Sequence, residues 1–179
     1  MRQADAGIKM LKTSVDSLIV VRNDRLLINL HNNTSIKGAF KIADDVLRRG
    51  VQSIFYAIKK NGLVFLDFAD IKNLLKDGGL AYMGIGIAKG DGKAKEAVVQ
   101  GLNSPLLEAG AARAAGVLLH ITGAMKINLP KIKRAVEIAR QAIKNQTDFK
   151  FAVQIDDTLD EEIVAIIIAV GADKTITGL

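Results

Sequence analysis

Apolar residues fall at 36, 39, 40, 43, 46, 47, 51, 54, 55 and 58, the three-and-four spacing of a helix, over the longest patterned stretch of the chain. Thr34 or Ser35 suits its start and Asn61-Gly62 its end. About 25 residues at ~1.5 Å each make a rod of about 40 Å. A helix of that length, apolar along much of its surface, predicts a strut between two packed bodies. Ahead of it, "ADAGIKMLKTSV" has helical spacing and reads as the end of a helix. "DSLIVV" is a continuous, β-branched apolar run, the pattern of a strand buried on both faces. "NDRLLINL" reads as a cap and a short helix, with Asn23 or Asp24 at the N-cap.

Behind the long helix the pattern is regular. "DFADIKNLLKDGG" predicts a helix ended by glycines, "LAYMGIGIAKG" a glycine-bearing strand and "DGKAKEAVVQGLNS" a helix stopped near Ser104-Pro105. "GVLLHITGAM" predicts a strand, and "LPKIKRAVEIARQAIKN" an amphipathic helix with Pro130 in its first turn. "FKFAVQID" and "EEIVAIIIAVGA" predict two further strands. The expected fold class is therefore α+β: a mixed four-stranded sheet with helices, preceded by the long helix. The front end, a partial helix and one buried strand, does not make a sheet alone. It reads as the remnant of another domain, over 1–34, followed by a linking helix over 35–61 and a C-terminal domain over 62–179. The strand near Asp16–Val21 is expected to lack a partner, which predicts dimerisation, strand exchange or aggregation.

Composition narrows the chemistry. No cysteine occurs among the 179 residues, which excludes disulfides and thiolate metal sites, and two isolated histidines, His31 and His120, do not make a histidine site. The formal charge is +6, but the basic residues sit in short clusters separated by acids, without interleaved aromatics, so no nucleic-acid partner is expected. The start lacks a signal-peptide core, and "IVAIIIAVGA" is about half the length of a bilayer span, so direct membrane insertion is not expected and the chain reads as cytoplasmic.

Three stretches carry candidate chemistry. In "GAFKIADD", Phe40 and Asp44 share a helix face. A ring beside a carboxylate can stack on a purine while the acid accepts the two donors of guanine; equally, Phe40 belongs to the apolar stripe and Asp44 is a solvated acid at its edge. In "LDFADIK", Asp67 stands where an N-cap belongs and Asp70 in the first turn, which favours the helix dipole. The same two carboxylates could polarise a water for attack on phosphorus. "MGIGIAKGDG" lacks the phosphate-loop pattern. Gly84 and Gly86 read as close-packing strand positions and Gly90–Gly92 as a turn.

Taken together and in order, "DSLIVVRNDRLL", "AFKIADDVLRRGVQ", "LDFADIK", "MGIGIAKG", "NSPLLE" and "GVLLHITG" closely resemble FtsZ, the tubulin-like cell-division GTPase family, from Met1 to about Gly171. The resemblance is to that family's C-terminal half: the end of a Rossmann-like GTP-binding domain, the central helix and the C-terminal domain. It implies that Asn23 lies near guanine and ribose, Phe40 against the base and Asp44 on guanine. Asp67 and Asp70 match the loop that one subunit inserts into its neighbour's nucleotide site, where the acids help activate water and contact cations. It implies GTP or GDP at a partial site, Mg2+ with the nucleotide, and partners that are other FtsZ-like subunits or a separate N-terminal half, in a homo-oligomer or filament. The family's G-G-G-T-G-T-G phosphate signature is absent from this sequence, so the chain is not expected to turn over GTP alone. Arg22 stands where the family has proline, and Asn61-Gly62 where it has Pro-Gly. A filament-capping module or a relic without a complete nucleotide site is the alternative the same residues allow.

Overall fold

The computed structural model describes residues 2–22, 25, 35–60, 62–90, 92–107, 113–124, 128–143 and 147–171. In chain order the elements are α1 (Arg2–Lys12), β1 (Ser17–Ile19), α2 (Ile36–Ile58), α3 (Phe68–Leu75), β2 (Gly79–Ala88), α4 (Lys93–Leu102), β3 (Gly116–Gly123), α5 (Leu129–Ala142), β4 (Asp148–Ile155) and β5 (Ile163–Val170). Most of the short helix expected at "NDRLLINL", with Asn23 and Asp24, lies outside the described residues, as does Asn61.

β5 explains the longest apolar run in the sequence. All eight of its residues are buried, because it lies inside the sheet and both faces are covered. Ile163, Ala165, Ile167 and Ala169 face a core built with Val98 of α4 and Ile132 and Val136 of α5. Val164, Ile166, Ile168 and Val170 face a second core, with Val46 and Ala57 of α2 and Ile71 and Leu74 of α3. Each fully buried Ile side chain contributes about 2 kcal/mol by transfer from water.

The sheet has the strand order β1-β2-β5-β3-β4. β5 runs antiparallel to both β2 and β3, whereas β3–β4 and β1–β2 are parallel. The sheet is therefore mixed as expected, but it has five strands instead of four. The additional strand is β1, which pairs Ser17–Ile19 with Gly79–Ala81 of β2. The expectation that this strand would lack a partner is corrected: Gly79 N donates to Asp16 O at 2.8 Å, and Ser17 Oγ to Leu75 O at 2.5 Å. β1 is short and half-buried rather than enclosed on both faces, because it forms a sheet edge.

α2 starts at Ser35, whose hydroxyl accepts from Gly38 N at 3.1 Å. Its inward face is made of small residues: Ala43, Val46, Gly50, Ser53 and Ala57 are all buried. Gly50 packs closely on the sheet: a Cβ there would lie 2.6 Å from Met83 Sδ of β2, the tip of a flexible side chain. Glycine inside a helix costs about 1 kcal/mol relative to alanine.

Between α2 and the sheet lies His120, stacked on Tyr56 with ring centroids 6.4 Å apart. Its Nε2 has no hydrogen-bond partner among the described residues, and burial pushes its pKa down from 6.5 to about 4. The folded protein keeps this ring neutral while the unfolded chain protonates it, so stability is fully present above pH 6.5 and is lost as pH falls toward 4. The effect amounts to roughly 3 kcal/mol at pH 4. Urea titrations from pH 7 to pH 4 should show wild type losing about that much more stability than His120→Gln; equal slopes would disprove it.

Candidate functional site

The two constellations read from the sequence sit at opposite ends of α2. Phe40 and Asp44 lie in its first turns, on one exposed face, and Phe40 is 60% exposed. Asp44 makes no hydrogen bond or ion pair with another described residue. Its neighbour Asp45 is committed instead: the Arg49 guanidinium bonds it at 2.7 Å, Arg48 bonds it too, and these contacts hold its pKa below the usual carboxylate value. Of the two acids in "ADD", Asp44 is the one without a partner among the described residues. Asn23 lies outside the described residues.

The acidic loop begins past the other end of the helix. Val64 forms a β-bridge with Val153, with Val64 N to Val153 O at 3.3 Å and Val153 N to Val64 O at 2.8 Å. This covers part of the otherwise unpaired edge of β4. Leu66 N donates to Ala57 O at 2.7 Å and ties the loop back to the last turn of α2. These bonds place Asp67 at the N-cap of α3. Its backbone carbonyl accepts from Asp70 N at 3.0 Å, but its side chain makes no capping hydrogen bond. Asp67 thus occupies the cap position without spending its carboxylate there.

Asp70, in the first turn, is engaged. Lys150 Nζ of β4 lies 3.1 Å from Asp70 Oδ1 and 3.5 Å from Asp148 Oδ1. The hydrogen bond to Asp70, and after it the charge of Asp148, raise the pKa of the ammonium above the ordinary lysine value. Leu63, Phe65 and Phe68 are exposed around the loop, at 52%, 45% and 68%. The loop therefore presents acids and apolar groups together, a mixture suited to a docked surface.

Helical rise of about 1.5 Å per residue puts Asp44 roughly 20 Å along the axis from Ile58. Phe40 with Asp44 and Asp67 with Asp70 are therefore well separated along the helix. The glycines of "MGIGIAKG" do not form a phosphate cradle between them. A Cβ at Gly84 would collide with the Gly101 carbonyl, and one at Gly86 with the Ala97 carbonyl, so both exist to seat α4 on β2. Among the described residues no three His, Cys, Asp or Glu side chains gather closely enough to hold a metal ion.

A model of the FtsZ family C-terminal domain matches residues 79–173, more than half of the chain. The chain belongs to the FtsZ family. An empty FtsZ dimer from M. jannaschii is 33% identical over 94% of this chain and 49% of that one, with a TM-score of 0.88. A point mutant of the same organism's FtsZ is 34% identical over 93% and 50%, with a TM-score of 0.86. The chain thus spans about half the length of these FtsZ structures. A GTPγS-bound protofilament of CetZ2 from Haloferax volcanii, 16% identical over 94% and 50% with a TM-score of 0.69, shares the fold.

Within this FtsZ-family domain, one functional candidate was missed from sequence: Lys150. It falls in "FKFAVQID", which reads as a strand, and a lysine between two phenylalanines looks like ordinary edge-strand polarity. The usable signal was its place on the same strand face as Ala152, which packs into the core beneath α2 and α3. No helix among the described residues is long and apolar enough to cross a membrane.

Proposed function

We propose that this FtsZ-family chain is the C-terminal part of a filament-forming cell-division GTPase, and that its acidic loop completes GTP hydrolysis on the adjacent subunit. The observation that carries the reading is the separation of the two half-sites, roughly 20 Å apart along α2 and both turned outward. Asp67 and Asp70 then serve a different nucleotide from the one read by Phe40, Asp44 and Asn23. Phe40 stacks on the base and Asp44 accepts from the two guanine donors. Asp70 orients the water that attacks the γ-phosphorus and accepts its proton, while the bond to the GDP oxygen breaks. The nucleotide arrives with Mg2+, which offsets phosphate charge; Asp67, with no cap bond, is the carboxylate left for a cation contact. That relatives are described as a dimer and a protofilament supports such end-to-end assembly.

The outer face of α2 fits an N-terminal half that carries the phosphate-binding glycines, whether on the same polypeptide or another. Phe40, Leu47, Val51 and Phe55 are all exposed there, with Val51 at 69% and Phe55 at 56%. Large residues face out while small ones face the sheet, the reverse of a helix whose only packing surface is its own core. Val51→Asp with Phe55→Asp should weaken binding to such a half at least tenfold, by sedimentation velocity, and move the chain's own stability by under about 0.5 kcal/mol.

The test is phosphate release from GTP by the chain, by a phosphate-loop half, and by the two mixed. Turnover confined to the mixture supports the reading; a folded, binding mixture without turnover overturns it. The exposed Leu63, Phe65 and Phe68 around the acidic loop favour one second reading, a non-catalytic cap that docks on a filament end. Slowed filament growth without added turnover would identify it.

A further inference from the structure

The ion pair between Asp70 and Lys150 joins the first turn of α3 to the sheet's edge strand across 80 positions of sequence. Nothing in the local geometry of the helix requires it: α3 is already seated by Ile71 and Leu74, and the Asp67 side chain at its cap makes no capping hydrogen bond. The lysine approaches one carboxylate oxygen, Oδ1, which leaves Oδ2 with its lone pairs available. Asp148, 3.5 Å from the same ammonium, favours its charged form, so that the ammonium lies between the two carboxylates. Of the two acids on the loop, one is fixed and the other is free.

We propose that Lys150 is the positioning residue of the acidic loop: its ammonium fixes the Asp70 carboxylate and serves as the built-in counter-cation that this carboxylate would otherwise recruit from solution. The inference rests on the catalytic use of Asp70 proposed above. An ionised carboxylate held by one oxygen presents the other in a constant direction, which is the requirement for orienting a water. The ammonium also lowers the repulsion between the loop's acids and a neighbour's phosphates.

The experiment is the mixed phosphate-release assay at saturating GTP. Lys150→Met, which keeps a long unbranched side chain without the charge, should lower kcat about tenfold and leave the KM for GTP unchanged. Lys150→Arg should retain most of the rate, because a guanidinium can make the same bond. In Lys150→Ala, added methylammonium should raise the rate with saturation, and tetramethylammonium at equal concentration should not. A merely structural lysine would give no such rescue. Wild-type turnover matched by Lys150→Met, or an equal response to tetramethylammonium, overturns the role of Lys150 and leaves that of Asp70 standing. No turnover in the wild-type mixture removes both.

Discussion

Asp70→Ala, mixed with a phosphate-loop half, should bind that half normally and release phosphate from GTP at least about a hundredfold more slowly than wild type. The size follows from the role. Placing and deprotonating an attacking water contributes roughly two to four orders of magnitude, and the free carboxylate nearest to Asp70, Asp67, lies one helical turn earlier in the sequence, at the cap. Loss of folding does not compete with this explanation. The pair with Lys150 is partly exposed, with side chains 29% and 40% accessible, so breaking it costs at most about 1 kcal/mol. Phosphate release and sedimentation on the same samples separate the outcomes. Lost turnover with retained binding supports catalysis by Asp70. Unchanged turnover would remove Asp70 from the mechanism, and lost binding would make it a docking residue.

The second large effect concerns the fold. Gly86→Ala should destabilise the chain by about 3 kcal/mol and lower Tm by roughly 10 °C. The added methyl group would collide with the Ala97 carbonyl and lie 2.6 Å from Gly101 N and 2.8 Å from Gln100 Cβ. Two of those three are backbone atoms of α4, which cannot rotate away as a side chain can. The helix would have to lift off β2, opening the core around Val98 and Ile167. Gly7→Ala is the matched comparison. Gly7 lies in α1 with nothing within 4 Å of the added Cβ, so alanine there should gain up to about 1 kcal/mol. Thermal melts of the two variants should therefore move in opposite directions. A Gly86→Ala melt at the wild-type temperature would contradict the tight seating of α4.

Most of the secondary structure was legible because each element advertises itself over a short range. The buried run in β5, the Pro130 start of α5 and the spacing of α2 are local signals, and the structure places elements where they fall. β1 was legible as a strand but not as a member of this sheet. Its partner, Gly79–Ala81, lies about sixty residues away, and three residues of pairing leave no periodic trace. The order of family motifs identified the FtsZ-type C-terminal half, since glycines, acids and strand runs recur in sequence whatever their packing.

What the residues alone determined is which groups exist and which are neighbours along the chain: Phe40 with Asp44 on one helix face, Asp67 with Asp70 at a helix start, and no phosphate-loop motif. Tertiary structure decided how each is used. Helical spacing could not say which apolar side of α2 meets the sheet. In the structure the side with Ala43, Val46, Gly50, Ser53 and Ala57 is buried and Phe40, Leu47, Val51 and Phe55 are left outside. Spacing could not say that Asp67 keeps its carboxylate free at the cap, or that Asp70 meets a lysine 80 residues later. Such pairings depend on strand order and on where a loop is tied down, and those are set by burial of distant surfaces against one another rather than by any local sequence preference.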